Sequence, residues 1–205
     1  MTFLYFNGCS YTQGAELDDR VGQRFSTLVS EHFNSDHLND AAKSSTNDTI
    51  VRTTFEFLEN NRCDYGIIMM THPERMEFNQ KMMPSTNRPE CHAFYENYYD
   101  DNVGSLNFYK NRFLLEQEFD RRGIPLILLQ YYNVHGDNTW SRRCKGKIPT
   151  VARLSFLKRE ETILGTRMNG KYYYRESTQK TCCHFNYKGH KKIADYIIGK
   201  LTSTI

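Results

Sequence analysis

Three short apolar runs constrain this chain more than any other feature: Phe3-Leu4-Tyr5-Phe6, Gly66-Ile67-Ile68-Met69-Met70, and Pro125 to Leu129. Each is strand-sized, and each is apolar at consecutive rather than alternate positions. That is the pattern of a strand covered on both faces. Asp36-His37-Leu38-Asn39 reads as a brief further strand. Between the runs lie stretches with helical spacing. Residues 18–33 place Val21, Phe25, Leu28, Val29 and Phe33 on one face, and residues 47–61 do the same with Ile50, Val51, Thr54, Phe57 and Leu58. A long helix is expected over 105–122, ended by Gly123 as its cap, and a last one over 188–201. Doubly covered strands alternating with helices predict an α/β chain, with a parallel sheet in a three-layer α/β/α sandwich. Such sheets carry their chemistry at the C-terminal ends of the strands. The places to look are therefore after Phe6, Asn39, Met70 and Gln130.

Bulk properties narrow the class. A chain of 205 residues suits a single domain, 1–205, and no repeat or low-complexity linker divides it. Two long stretches, 73–104 and 133–180, interrupt the strand–helix alternation and are expected as inserts at the mouth of the site. No apolar run is long enough to cross a bilayer, so no membrane partner is expected. Met1 to Asn7 lacks the basic start of a secretion signal and reads as the first strand, which makes the cytoplasm the expected location. In that compartment Cys9, Cys63, Cys91, Cys144, Cys182 and Cys183 are expected as thiols. The net charge of +3 argues against a nucleic-acid partner. The charge is uneven: residues 137–180 hold eleven Lys or Arg against four acids, around Tyr172, Tyr173 and Tyr174. A basic, aromatic stretch of this kind can line a single-strand groove. The preferred reading is a solvated loop balancing a slightly acidic body.

The first strand runs into Asn7-Gly8-Cys9-Ser10-Tyr11-Thr12-Gln13-Gly14. A serine at a strand-to-helix turn, flanked by glycines, presents its hydroxyl at the sheet edge. The helix behind it offers backbone N–H groups to an oxyanion. Serine also needs a base, and His184 stands just before the last helix. Each feature alone has a plain alternative. A Gly-x-Ser turn also fits an ordinary loop, and a lone histidine is more often structural than catalytic. His190, inside the helical start, is expected to pack or cap. Adjacent Cys182 and Cys183 are poorly spaced for a shared zinc ion, and no metal or organic cofactor is expected. Tyr95, Tyr98, Tyr99 and Tyr109 would suit the wall of a cleft for a sugar or aromatic ligand.

Taken together, the blocks resemble those of the SGNH (GDSL-like) hydrolases. Gly8-Cys9-Ser10-Tyr11-Thr12-Gln13-Gly14 is similar to that family's first block. His184-x-Asn186-x-x-Gly189-His190-x-x-Ile193-Ala194 is similar to its last. Asn39-x-Ala41-x-x-Ser44-Ser45-Thr46-Asn47-Asp48-x-Ile50 resembles the second block, and Thr71-His72-Pro73-Glu74-Arg75 sits where the third should be. The resemblance implies a flavodoxin-like fold and hydrolysis of an acyl or acetyl ester, with a small-molecule or glycan ester as substrate. It makes Ser10 the nucleophile and His184 its base. The backbone N–H groups of Ser10 and Ser44 become oxyanion donors. Asn47, Thr71, His72 and Arg75 are the further candidates for binding the oxyanion or substrate.

The chain departs from the family pattern at three places. Ser44 stands where the family has Gly, no Asn lies between Gly66 and Phe78 to serve the oxyanion, and Thr181 occupies the position of the triad Asp. A Ser-His dyad or incomplete triad is the expected arrangement. The alternative is a binding protein that keeps the fold with weakened or lost chemistry.

Overall fold

The computed structural model describes residues 2–78, 81–83, 94, 96–130, 151–153, 167–168, 171–172 and 184–203. Five strands form one parallel sheet: β1 (Phe3–Asn7), β2 (Asp36–Asn39), β3 (Tyr65–Met70), β6 (Leu126–Gln130) and β7 (Val151–Arg153), in the order β2-β1-β3-β6-β7. The register pairs Tyr5 with Leu38 on one side of β1 and with Gly66 on the other, and Ile68 of β3 with Leu128 of β6. Two small antiparallel hairpins, β4 (Met76–Phe78) with β5 (Lys81–Met83) and β8 (Arg167–Met168) with β9 (Lys171–Tyr172), lie within the two expected inserts.

The period of two along the central strands divides the core. Leu4 and Phe6, Ile67 and Met69, and Ile127 and Leu129 face one side, where they meet Phe25, Val29, Ile193 and Ile197. These four residues belong to helices α2 (Phe25–Phe33) and α5 (Tyr187–Thr202). Tyr5, Ile68, Met70, Leu126 and Leu128 face the other side, against Ile50, Leu58, Phe108 and Leu115. Those belong to α3 (Asn47–Asn60) and α4 (Asp101–Arg122). The result is the expected α/β/α layering, with β1, β3 and β6 covered on both faces. Gly66 is required by this packing, because a Cβ there would overlap the Phe119 ring of α4.

Helix boundaries follow their caps. Thr46 Oγ1 accepts from Thr49 N at 3.1 Å and starts α3. Asp100 Oδ1 accepts from Val103 N at 2.7 Å and starts α4 four residues before the expected 105. Asn186 Oδ1 accepts from Gly189 N at 3.0 Å and starts α5. Each side-chain acceptor satisfies an N–H that the helix itself leaves open. Gly123 ends α4 in the left-handed conformation, as expected.

Two expectations need correction. The helix expected over 18–33 begins only at Phe25. Asp19 Oδ1 accepts from Gly22 N at 2.9 Å and Gln23 N bonds Asp19 O at 3.0 Å, which closes a turn over 19–23 instead. Val21, assigned to the buried face, is 58% exposed. The sheet also gains a fifth strand, β7, within the stretch 133–180. Three residues are too few for a period to be read. Cys9 and Cys63 are free and buried, while the other four cysteines lie outside the described residues. Among the described residues no helix is long and apolar enough to cross a membrane.

Candidate active site

Sheet order places the site. Because β1 lies between β2 and β3 and all three are parallel, the segments following Asn7, Asn39 and Met70 emerge side by side on one rim. The turn after β1 is tight. Asn7, buried at the strand end, accepts from Gly8 N at 2.7 Å through Oδ1. Its amide nitrogen lies 2.8 Å from Thr53 Oγ1 and 2.9 Å from Thr54 Oγ1 of α3. A Cβ at Gly8 would overlap the Thr12 side chain, so only glycine fits between strand and helix. The chain then enters α1 (Ser10–Gln13), a single turn with Ser10 as its first residue and Gly14 as its left-handed cap. So short a helix contributes little dipole. The individual N–H groups are what it offers.

Ser10 and His184, 174 positions apart in sequence, meet here. His184 Nε2 lies 2.8 Å from Ser10 Oγ, within hydrogen-bond range. Ser10 is 4% exposed and His184 partly buried. The imidazole packs against Tyr11, with ring centroids 5.0 Å apart, and Tyr11 packs in turn on Phe185 at 4.8 Å. Burial lowers the pKa of His184 below the ordinary histidine value. Glu16 works against that shift, and Arg75 and Lys43 add to it. The ring is therefore neutral at neutral pH, as a base must be to take a proton from a hydroxyl. Thr181 lies outside the described residues.

The other candidates sit on the two flanking loops. After β2, Asn39 reaches back to the turn that carries Ser10, with its amide nitrogen 2.9 Å from Thr12 O and 2.8 Å from Ser26 Oγ. The loop then turns over residues 42–45, where Ser45 N bonds Ala42 O at 3.3 Å. At the tip Ser44 has φ +65°, the left-handed conformation that favours glycine. The SGNH block that this segment resembles has glycine at this position, and Ser44 adopts the backbone shape that glycine would. The cost is roughly 1 kcal/mol.

Asn47 is fully buried. It bridges α3 to the end of β3, donating to Thr71 O at 3.2 Å and accepting from Thr71 N at 2.9 Å. Both ends of its amide are thus engaged with backbone. Thr71, 1% exposed, accepts from Arg75 Nη1 at 3.1 Å through its hydroxyl. Arg75 N closes the turn on His72 O at 3.1 Å. His72 Nδ1 accepts from Glu74 N at 3.3 Å and lies 3.5 Å from Glu74 Oε1. The structure thus links Asn47, Thr71 and Arg75 in one chain of hydrogen bonds, sets Ser44 on the opposite loop, and turns His72 toward Glu74. Of the tyrosines suggested for a cleft, Tyr95 lies outside the described residues. Tyr98 is 75% exposed and Tyr109 packs edge-on against Phe108.

Sequence reasoning passed over Tyr11, Asn7, Glu16 and Lys43. Asn7 carried a usable signal, a polar residue closing an apolar run at the C-terminal end of β1. Glu16 and Lys43 carried none, since charged loop residues are ordinary. Among the described residues no cluster of His, Cys, Asp and Glu is placed to hold a metal ion.

Comparison with solved structures bears on the fold. A lipase/acylhydrolase from Enterococcus faecalis aligns over 100% of this chain and 97% of its own, with a TM-score of 0.59 and 13% identity. A member of the lipolytic protein G-D-S-L family from Veillonella parvula aligns over 98% and 99%, with a TM-score of 0.54 and 11% identity. The fold is that of the GDSL lipolytic hydrolases. A psychrotrophic esterase, EstA, from Pseudoalteromonas sp. aligns over 99% of this chain and 98% of its own, with a TM-score of 0.58 and 10% identity. No family model and no curated protein sequence matches the chain. The likeness shown is therefore one of fold.

Proposed function

We propose that the protein is a serine esterase that cleaves an acyl or acetyl ester through the Ser10–His184 pair. The observation that carries this reading is the 2.8 Å contact between Nε2 and Oγ, made by an imidazole held neutral by burial. With the ring proton on Nδ1, Nε2 accepts from the hydroxyl. Ser10 Oγ attacks the carbonyl carbon as its proton passes to Nε2. The tetrahedral oxyanion is received by the backbone N–H groups of Ser10 and Ser44. His184 then returns the proton to the departing alkoxide, leaving Ser10 acylated. Water, activated by the same ring, releases the acid. Arg75, carried on Thr71 and indirectly on Asn47, supplies positive charge where the family uses an asparagine. Donors of that kind are worth roughly a hundred- to a thousandfold in rate.

The test is turnover of p-nitrophenyl acetate. The protein is expected to hydrolyse it, and Ser10→Ala and His184→Ala are each expected to lower kcat by a factor on the order of a thousand or more. The same turnover in wild type and Ser10→Ala would remove the nucleophile from the account. No turnover in either, with intact folding, would favour a binding protein of this fold.

A further inference from the structure

A hydrogen bond at one edge does not by itself set the plane of an imidazole. The 2.8 Å contact between His184 Nε2 and Ser10 Oγ fixes one ring atom and leaves the ring free to pivot about that line. In a serine triad an acid removes this freedom from the far side of the ring. In this sequence Thr181, an uncharged residue, holds that place. The structure shows a restraint of another kind. The Tyr11 ring packs against the imidazole, with centroids 5.0 Å apart and planes inclined by 52°. That separation lies within the range in which aromatic rings attract one another.

Tyr11 has little freedom of its own. It follows Ser10 on α1, where Thr12 N and Gln13 N bond Cys9 O at 2.9 and 3.0 Å and Ala15 N bonds Ser10 O at 2.9 Å. The hydroxyl and the aromatic ring therefore ride on one closed turn. Only 2% of Tyr11 is exposed. Phe185, fully buried, packs on the same tyrosine ring at 4.8 Å, so two consecutive residues, His184 and Phe185, lie against one side chain. Phe185 meets His190 of α5 edge-on at 5.9 Å, and His190 stacks on Phe25 of α2 at 5.6 Å. A file of rings thus ties His184 to the core on that side of the sheet, where Tyr11, Phe25 and Phe185 all belong.

We infer that Tyr11 is a positioning residue, which holds the plane of the His184 imidazole so that Nε2 faces Ser10 Oγ. This deepens the esterase reading and rests on it for the reaction, but not for the orientation of the ring. Being almost wholly buried, Tyr11 offers a substrate no surface to bind. Its loss acts on the proton transfer between hydroxyl and ring, which depends on their alignment, and not on substrate affinity.

The experiment compares Tyr11→Leu, which keeps an apolar side chain without a ring, with Tyr11→Phe, which keeps the ring. Tyr11→Met replaces the leucine variant should that one not fold. Phe119→Leu is the control for losing a buried aromatic residue as such, since Phe119 packs against Gly66 at the start of β3, at the opposite end of the sheet from Ser10. Turnover of p-nitrophenyl acetate is measured well below each Tm. Tyr11→Leu is expected to lower kcat by about tenfold while KM stays within about twofold of wild type. Tyr11→Phe should restore kcat to within about threefold, and Phe119→Leu should leave it unchanged. Alongside, the nitrogen NMR shifts of the His184 imidazole report its tautomer. Wild type and Tyr11→Phe should show one form, with the proton on Nδ1 and Nε2 accepting. Tyr11→Leu should show the two tautomers mixed, and a pKa closer to the ordinary histidine value as the loosened ring meets water. Wild-type kcat in Tyr11→Leu, an equal loss in Phe119→Leu, no rescue by Tyr11→Phe, or an unmixed tautomer in Tyr11→Leu would overturn the inference. If the wild type hydrolyses no ester, the esterase reading fails on its own account, and the tautomer comparison alone decides whether Tyr11 orients the ring.

Discussion

Ser44 and His184 show how much of the proposed chemistry is set by single residues. Ser44 holds φ at +65°, where glycine rests without strain. If only its backbone N–H serves the oxyanion, Ser44→Gly should retain full esterase activity. It should leave stability unchanged or raise it by up to about 1 kcal/mol, the relieved strain being partly offset by the entropy of glycine. Urea unfolding and p-nitrophenyl acetate kinetics on one preparation check both parts. A loss of kcat would mean that the hydroxyl itself is needed. His184 predicts the pH profile. Its pKa is lowered by burial first, with Arg75 and Lys43 adding and Glu16 opposing, so the neutral, active ring persists below the ordinary histidine pKa. The acid limb of kcat/KM should therefore fall below pH 6.5, and Glu16→Gln should move it lower still, because that carboxylate favours the protonated ring. An acid limb above pH 7 would contradict the environment described for this ring.

At the scale of elements, the β3–β4 loop is held by polar contacts from α3 in addition to its own hydrogen bonds. Asn47 fixes Thr71, and Asp48 of α3 fixes the strand beyond. Asp48 Oδ2 accepts from Glu77 N at 3.1 Å and from Asn107 Nδ2 at 2.9 Å, while Asp48 Oδ1 accepts from Asn111 Nδ2 at 2.9 Å. Glu77 in turn accepts from Thr49 Oγ1 at 2.5 Å and from Arg52 Nε at 3.2 Å. Two adjacent residues at the start of α3 thus set the height of the third block. Asn47→Ala would leave both backbone groups of Thr71 without their partner in a buried place, at a cost of about 3 kcal/mol. It would also let Arg75 drift, so activity should fall further than stability alone explains. Thermal unfolding together with kcat measured well below Tm separates the two effects, and an unchanged kcat would free Arg75 of any dependence on Asn47.

These contacts also mark where sequence reading stops. Strands β1, β3 and β6 were legible because burial on both faces leaves consecutive apolar residues, and Ser10 with His184 was legible because the blocks around them are compact. Asn47 was legible only as part of a block. What its amide does depends on a strand end 24 positions away. The late start of α2 was hidden because Val21 continues the helical spacing while Asp19 and Gly22 close a turn beneath it. Strand β7 was too short for any period to show.

For the whole molecule, the packing of α2 on α5 carries a pH dependence of its own. His190 of α5 is fully buried between Phe25 and Phe185, with ring centroids 5.6 and 5.9 Å away. Its Nδ1 accepts from Phe25 N at 3.2 Å and so caps the first N–H of α2. Burial pushes its pKa down to about 3, with a smaller push from His184. In the unfolded chain the same group titrates near 6.5. Between those values the unfolded state holds a proton that the native state does not, so stability is complete above pH 6.5 and is lost as pH falls. Between pH 7 and 5 the loss attributable to His190 should be about 2 kcal/mol. Urea unfolding at the two pH values measures it. His190→Asn, which keeps an acceptor for Phe25 N but does not titrate, should flatten most of the dependence. An equal loss in that variant would assign the acid sensitivity to other groups.

The most direct measurement is to treat the protein with a fluorophosphonate and locate the adduct by peptide mass spectrometry. The account predicts one stoichiometric modification, on Ser10, formed rapidly in the wild type and nearly absent in His184→Ala. An unmodified Ser10, a modification on another residue, or undiminished labelling without His184 would contradict it.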